Sequence, residues 1–151
     1  MREYVRNKKA THDFSILETL EAGIVLAGFE VKAVRRGSAK LEGARVVVRG
    51  KEAWLVGAAI HRYQAANTPA NYDPERPRKL LLNKRELERL ADAERTKGLT
   101  AIPLSLYDKY GHVKAAVAIA RGKKKADKRE DIRRRVMERD AERAFKRSVR
   151  F

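Results

Sequence analysis

Residues 45–56 read RVVVRGKEAWLV. Two five-residue runs, rich in β-branched and bulky apolar side chains, flank the dipeptide Gly50-Lys51. A two-residue connection between such runs is the pattern of a tight β-hairpin, so strands are predicted over 45–49 and 52–56. Downstream, residues 64–78 (QAANTPANYDPERPR) hold three of the chain's four prolines with Asn and Asp, which marks the longest irregular stretch. Lys79 to Leu82 is a brief apolar run. Asn83 then reads as the N-cap of a helix through KRELERLADAERTK, stopped by Gly98. Glu86, three residues after Asn83, completes the pattern of a capping box. Leu99–Tyr107 and Val113–Ala120 are predicted strands joined by DKYGH.

Upstream of the hairpin, Phe14 to Leu26 is apolar and β-prone with a break at Gly23, so it reads as one bent strand or two in succession. In GFEVKAVRR (28–36), the spacing of Phe29, Val31 and Val34 fits a short helix as well as a strand, and periodicity leaves both open. The result is about six short strands, one mid-chain helix (about 83–97) and a charged extension. That inventory predicts a mainly β fold, a small closed OB-fold-like barrel whose closure removes exposed strand edges. Three regions follow: a basic N-terminal arm over 1–12, the barrel over 13–121, and a basic C-terminal tail over 122–151.

Charge says what such a barrel meets. The 151 residues carry 36 Lys/Arg against 20 Asp/Glu, a formal charge of +16. Fourteen of those cations and six of the anions lie from Arg121 onward, so the preceding 120 residues are themselves about +8. A basic field over the whole molecule draws phosphate backbones through counterion release. Within the tail, read as a helix, Arg135, Arg139, Arg143, Lys146, Arg147 and Arg150 share one face, and Met137, Ala141, Ala144 and Phe145 the opposite one. That apolar face is too thin for a core helix or for a membrane surface. Clustered arginines also weaken an isolated helix, so folding on a polyanionic partner is expected.

Other chemistries find no support. The chain has no cysteine, which excludes disulfides, thiolate metal sites and thiol nucleophiles. No leader-like segment and no run of about 18 apolar residues is present, which predicts a cytoplasmic protein without membrane contact. Phosphate-binding glycine loops and nucleophile elbows are missing. His12, His61 and His112 are too dispersed for a metal motif. Asp13, Glu18 and Glu21 fit solvated partners of Lys and Arg better than an acid–base pair. The expectation is a binding protein, monomeric, without catalytic residues, metal or cofactor.

Five segments sharpen this: NKKATHDF (7–14), EAGIVLAGFEVKAVRRG (21–37), NYDPERPRKLLLNKRE (71–86), KGLTAIPLSLY (97–107) and ARGKKKADKRE (120–130). In this order and spacing they resemble the SmpB, or SsrA-binding, family of bacterial trans-translation, from about Asn7 to Arg129 and more loosely beyond. The resemblance implies an OB-like barrel that binds the tRNA-like domain of transfer-messenger RNA. It also implies a tail, unstructured when free, that becomes helical in the empty messenger channel of a stalled ribosome. The RNA-binding face it implies maps onto Glu30, Leu81 and Asn83. The physics of the residues leaves a structural role open for each: Asn83 as a helix cap, Leu81 as core, Glu30 as the partner of a nearby cation. Asn7, Lys8, Lys9 and His12 resemble the family's N-terminal block and are implied as auxiliary RNA contacts. Arg76, Arg78 and Lys79 form a cationic cluster leading into Leu80 that reads as a phosphate contact, with a solvated loop as the alternative. On the ribosome side stand Lys123, Lys124 and Lys125 at the junction, then Asp127, Lys128 and Arg129, then Arg135, Arg139 and Arg143. The chain departs from the family pattern with Tyr72 where His is frequent, with Ala126 where a larger His or Tyr is common, and with Ala33-Val34 for a Ser-Leu pair. The alternative is a structural ribosomal protein that binds rRNA through a barrel and a basic extension.

Overall fold

The computed structural model describes residues 2–64, 66, 68–123 and 125–148, excluding the side chains of 125–127 and 145–148. In chain order the elements are β1 (Arg2–Arg6), α1 (Ala10–Asp13), β2 (Phe14–Ile24), α2 (Gly28–Arg35), β3 (Ala39–Lys40), β4 (Arg45–Arg49), β5 (Glu52–Val56), β6 (Ala59–Ile60), β7 (Arg78–Leu81), α3 (Lys84–Arg95), β8 (Leu99–Lys109), β9 (His112–Gly122) and α4 (Lys125–Ser148).

The decisive hairpin forms as its sequence predicts. Arg49 pairs with Glu52 across a turn in which Gly50 (φ 59°) and Lys51 (φ 64°) are both left-handed. A type I′ turn needs that conformation at both central residues, and glycine supplies the first without steric cost. From this hairpin the sheet runs β8-β4-β5-β7-β2-β9 and returns to β8, a ring of six strands with β1 on the outer part of β8. Closure is thin at two junctions, since β4 meets β8 only at Val46–Ala101 and β2 meets β7 only at Gly23–Leu81 and Ile24–Leu80. The molecule is therefore a closed ring of strands rather than an evenly hydrogen-bonded barrel. Where β4 diverges from β8, α3 fills the gap: Glu94 accepts from the Val48 amide at the open edge (3.4 Å) and pairs with Arg49 (2.6 Å).

Strand alternation builds the core. Leu20, Ala22, Val46, Ala53, Leu55, Leu80, Leu106, Ala115 and Val117 point into the ring, where Ala33 and Val34 of α2 and Leu90 and Ala93 of α3 join them. On the other side of β8–β9, Ala10, Ile102, Ala118 and Ala120 form a smaller cluster with Phe14, Ile16 and Leu104. Both faces of β9 are thus covered, which accounts for the unbroken apolar run Val117–Ala120.

Several details differ from the sequence expectations. In the arm expected over 1–12, the described residues are not an appendage, because Arg2–Arg6 pairs antiparallel with β8. Phe14–Ile24 is one strand, with an irregularity between Ile16 and Glu18 instead of a break at Gly23. The open choice at 28–36 resolves to helix. The strands β8 and β9 are eleven residues each, joined by a tight turn at Tyr110-Gly111 and not by a five-residue loop. Their unpaired length would be a liability in a flat sheet, and wrapping into the ring pairs it. The tail, which the sequence leaves without structure until it meets a partner, is helical in α4. Its side chains from Ile132 to Ala144 are all exposed, so only the first turns meet the body. No described helix is long and apolar enough to cross a membrane.

Candidate nucleic-acid interface

Glu30 stands at the third position of α2. One carboxylate oxygen accepts from the Ala27 amide (2.9 Å), which caps the helix start; Ala27 has no side-chain acceptor to return, so the box is half made. The same oxygen receives the Arg76 Nη2. Its other oxygen receives Arg78 Nη2 (2.7 Å), Arg78 Nε (3.1 Å) and Arg76 Nε (3.1 Å), with the Tyr72 hydroxyl at 2.9 Å. Arg78 also donates to the Ala58 carbonyl (2.9 Å) and to the Tyr72 oxygen (2.8 Å). Both Glu30 and Arg78 are 0 % exposed. A buried charge is tolerated only when paired and fully hydrogen-bonded, and here the bidentate guanidinium geometry achieves it. Burial acts to raise the Glu30 carboxyl, but hydrogen bonds from Arg76, the Ala27 amide and Arg78 outweigh it and hold the group below the ordinary glutamate value. Burial and the carboxylate together push Tyr72 up to about 12, so its proton stays in place.

This placement corrects the expectation for two residues. A fully buried Glu30 offers no face to a base or ribose, and a fully buried Arg78 reaches no phosphate. They organise the surface from beneath by tying Tyr72 and Arg76 to α2 and β7. Two arginines against one glutamate leave one positive charge, and Arg76, whose side chain is 37 % exposed, carries it to the surface. Tyr72 belongs to the same network and packs edge-on against Phe29 (4.9 Å between centroids). In the sequence it stands out only as a departure from the family pattern. Nothing local could reveal its role, because the carboxylate it donates to lies 42 residues away.

One residue further along β7 the side chains turn outward. Lys79 pairs with Glu52 (3.0 Å), and Leu81 is 54 % exposed, so the core alternative for Leu81 falls away. Leu81 lies over Gly23 of β2, where a Cβ would sit 3.2 Å from the Leu81 Cβ; glycine is what allows the close approach. Asn83 does cap α3: its Oδ1 accepts from the Glu86 amide (2.9 Å), and Glu86 accepts from the Asn83 amide (3.1 Å). Capping uses only the oxygen. Among the described residues nothing accepts from Nδ2, so cap and RNA contact are compatible on one side chain.

The remaining candidates gather at the opposite end of β2. Asn7 is buried, with Nδ2 donating to the Pro103 carbonyl (2.9 Å) and its amide to Leu104 (2.7 Å), so it anchors the chain between β1 and α1 instead of facing solvent. Lys8 and Lys9 are exposed. His12 Nδ1 lies 2.8 Å from Asp13, which also pairs with Lys128 (3.2 Å). The His12 contact, opposed by burial and aided by Lys128, lowers the Asp13 carboxyl. Lys123 donates through Nζ to the Thr11 carbonyl (2.8 Å) and through its amide to Asp13 (2.9 Å), and pairs with Asp131. Lys123 and Lys128 thus fasten the root of α4 to α1. Lys124 and the side chains of Lys125 and Asp127 lie outside the described residues. Arg129, Arg135, Arg139 and Arg143 are exposed along α4. Nine residue steps along β2 separate the Phe14–Gly122 pair from the Gly23–Leu81 pair, about 30 Å at strand rise. Among the described residues no group of three His, Asp or Glu is placed to hold a metal ion.

Comparison with known proteins supplies a context for this two-ended surface. A family model described as SmpB protein matches residues 4–147. The SsrA-binding protein of Chloroflexus aggregans is 51% identical over 144 residues, covering 95% of this chain and 91% of its own. The SsrA-binding protein of Staphylococcus carnosus is 48% identical (93% and 89% covered), and that of Coxiella burnetii 46% identical (96% and 91%). A solved structure described as tmRNA–SmpB, from work on the center of the bacterial ribosome, aligns with a TM-score of 0.67 at 42% identity. That alignment covers 85% of this chain and 94% of the other.

Proposed function

The chain belongs to the SmpB protein family, and on that premise we propose that it is the RNA-binding adaptor of trans-translation. It binds the tRNA-like domain of transfer-messenger RNA, the SsrA RNA, and brings it to stalled ribosomes, with α4 engaging the empty messenger channel. The reading is carried by the match of nearly the whole chain to SsrA-binding proteins. The geometry supports the division of labour. Leu81, Asn83, Lys79 and Arg76 meet the RNA at one end of β2, over a base organised by Glu30, Arg78 and Tyr72. From the other end α4 projects 24 residues, about 36 Å at helical rise, with arginines at 135, 139 and 143 for rRNA phosphates. Lys8, Lys9 and His12 beside the root of α4 are auxiliary contacts. The work is done in the cytoplasm, by binding, with no catalytic group.

Truncation after Gly122 tests the proposal. Gel-shift affinity for the tRNA-like domain should change by less than threefold, and peptide tagging on stalled ribosomes should be lost. A full chain that ignores the tRNA-like domain and copurifies with every ribosome would instead be a structural ribosomal protein. Loss of both activities on truncation would place the primary RNA site in the tail.

A further inference from the structure

Trp54 is the chain's only tryptophan, and it is not part of the core. On β5 the neighbours Ala53 and Leu55 are buried in the ring, so Glu52, Trp54 and Val56 project from its outer face. Register places Trp54 beside Val47 of β4 on one side and Lys79 of β7 on the other. The Lys79 carbonyl accepts from the Val25 amide (3.0 Å), so the row continues to Val25, which is 48 % exposed. One step along, beside Ala53–Leu80, come Glu52 and the exposed Leu81, then Gly23 and Lys114. Arg45 and Arg49 flank the hairpin side of this face, Arg49 engaged with Glu94 and the Val48 carbonyl. The outer surface of β4-β5-β7-β2 is therefore an apolar shelf of Val47, Trp54, Val25 and Leu81, bordered by cations and continuous with the proposed RNA contacts.

We propose that Trp54 is a base-stacking residue of this interface. An unstacked nucleobase of the bound RNA lies against the indole, and the adjoining phosphates exchange with Glu52 for the Lys79 ammonium. Three features favour a nucleotide over an apolar peptide. The indole has a π-face and little entropy to lose. The border is cationic. Exposed pairs such as Lys79–Glu52 are weak enough to be exchanged for phosphate. The inference rests on the adaptor reading and adds to it a residue that no local motif singles out.

Because Trp54 is the only indole among five tyrosines, emission excited beyond the tyrosine absorption band reports this site. Titration with a transcript of the tRNA-like domain should quench it in step with the gel-shift. Trp54→Leu, which keeps apolar bulk but removes the π-face, should weaken binding about tenfold; Trp54→Phe should recover most of the loss. Circular dichroism melting serves as the check that both variants fold. Binding of wild type with unchanged emission overturns the stack, as does a folded Trp54→Leu variant that binds like wild type, and either result leaves the adaptor reading intact. Failure of wild type to bind the transcript removes the adaptor reading, and the stacking proposal with it. Should Trp54→Leu not fold, the wild-type titration decides alone.

Discussion

The two ends of β2 use charge in opposite ways. At the Gly23–Leu81 end, Glu30 and Arg78 are sealed from water and satisfied by each other, by Arg76 and by backbone groups. At the Phe14–Gly122 end, the partly exposed pair Asp13–Lys128, beside the more sheltered Lys123–Asp131, holds the root of α4. A buried network is screened little by salt and costs much when broken; exposed pairs are screened and worth little singly. One end thus holds its shape under any ionic conditions. The other holds α4 by contacts that a charged partner can replace.

The contrast is broken most forcefully at Glu30. Glu30→Ala leaves Arg78 buried without its counter-charge, and about 3–5 kcal/mol of stability should be lost in urea unfolding. A loss below about 1 kcal/mol would mean that the network contributes little. The same group sets an acid limit. Its folded pKa lies below the unfolded value, so its stabilisation is complete above about pH 4.3 and disappears as pH falls through the lowered value. The stability gap between wild type and Glu30→Gln should therefore be widest at pH 7 and close in strong acid; a gap constant between pH 7 and 3 would contradict this assignment.

Asn83 sharpens the comparison at intermediate cost. Asn83→Ala removes the α3 cap and should cost about 1 kcal/mol together with RNA affinity. Asn83→Asp keeps a capping oxygen but replaces the Nδ2 donor with negative charge, so thermal stability should hold while RNA binding falls. If the two variants lose affinity only in proportion to stability, Asn83 is a cap and nothing more. The smallest effect belongs to the tail root. Lys128→Ala should cost less than about 0.5 kcal/mol in global unfolding. It should still speed amide exchange in the first turns of α4, an effect that fades as salt rises and screens the wild-type pair.

Much of this was legible from local pattern. Gly50-Lys51 between two β-prone runs specifies the hairpin, and Asn83-x-x-Glu86 specifies the start of α3, because turns and caps are short-range geometry. The five segments likewise identified the family, because together they span most of the chain. The side chains within it were harder to place. Glu30, Arg76 and Arg78 share a formal chemistry with any surface charge, and only contacts across more than forty residues distinguish the buried members from the exposed one. Arg2–Arg6 looked like an arm for the same reason, since an edge strand is defined by the neighbour it pairs with, and β8 lies a hundred residues away. Trp54 carries no signal of which way it faces until Ala53 and Leu55 are known to be inside.

From the sequence by itself come the class of fold, the basic character of both body and tail, the central hairpin, the mid-chain helix and the family. These follow from composition, periodicity and turn chemistry, which act over a few residues. The tertiary structure alone decided that the strands close into a ring with α3 in its gap. It also decided that Glu30 lies beneath the surface of Arg76, Lys79 and Leu81 instead of on it, and that α4 leaves from the far end of β2. Those depend on long-range pairing and on whether water reaches a charge, and neither is a property of any stretch of chain taken singly.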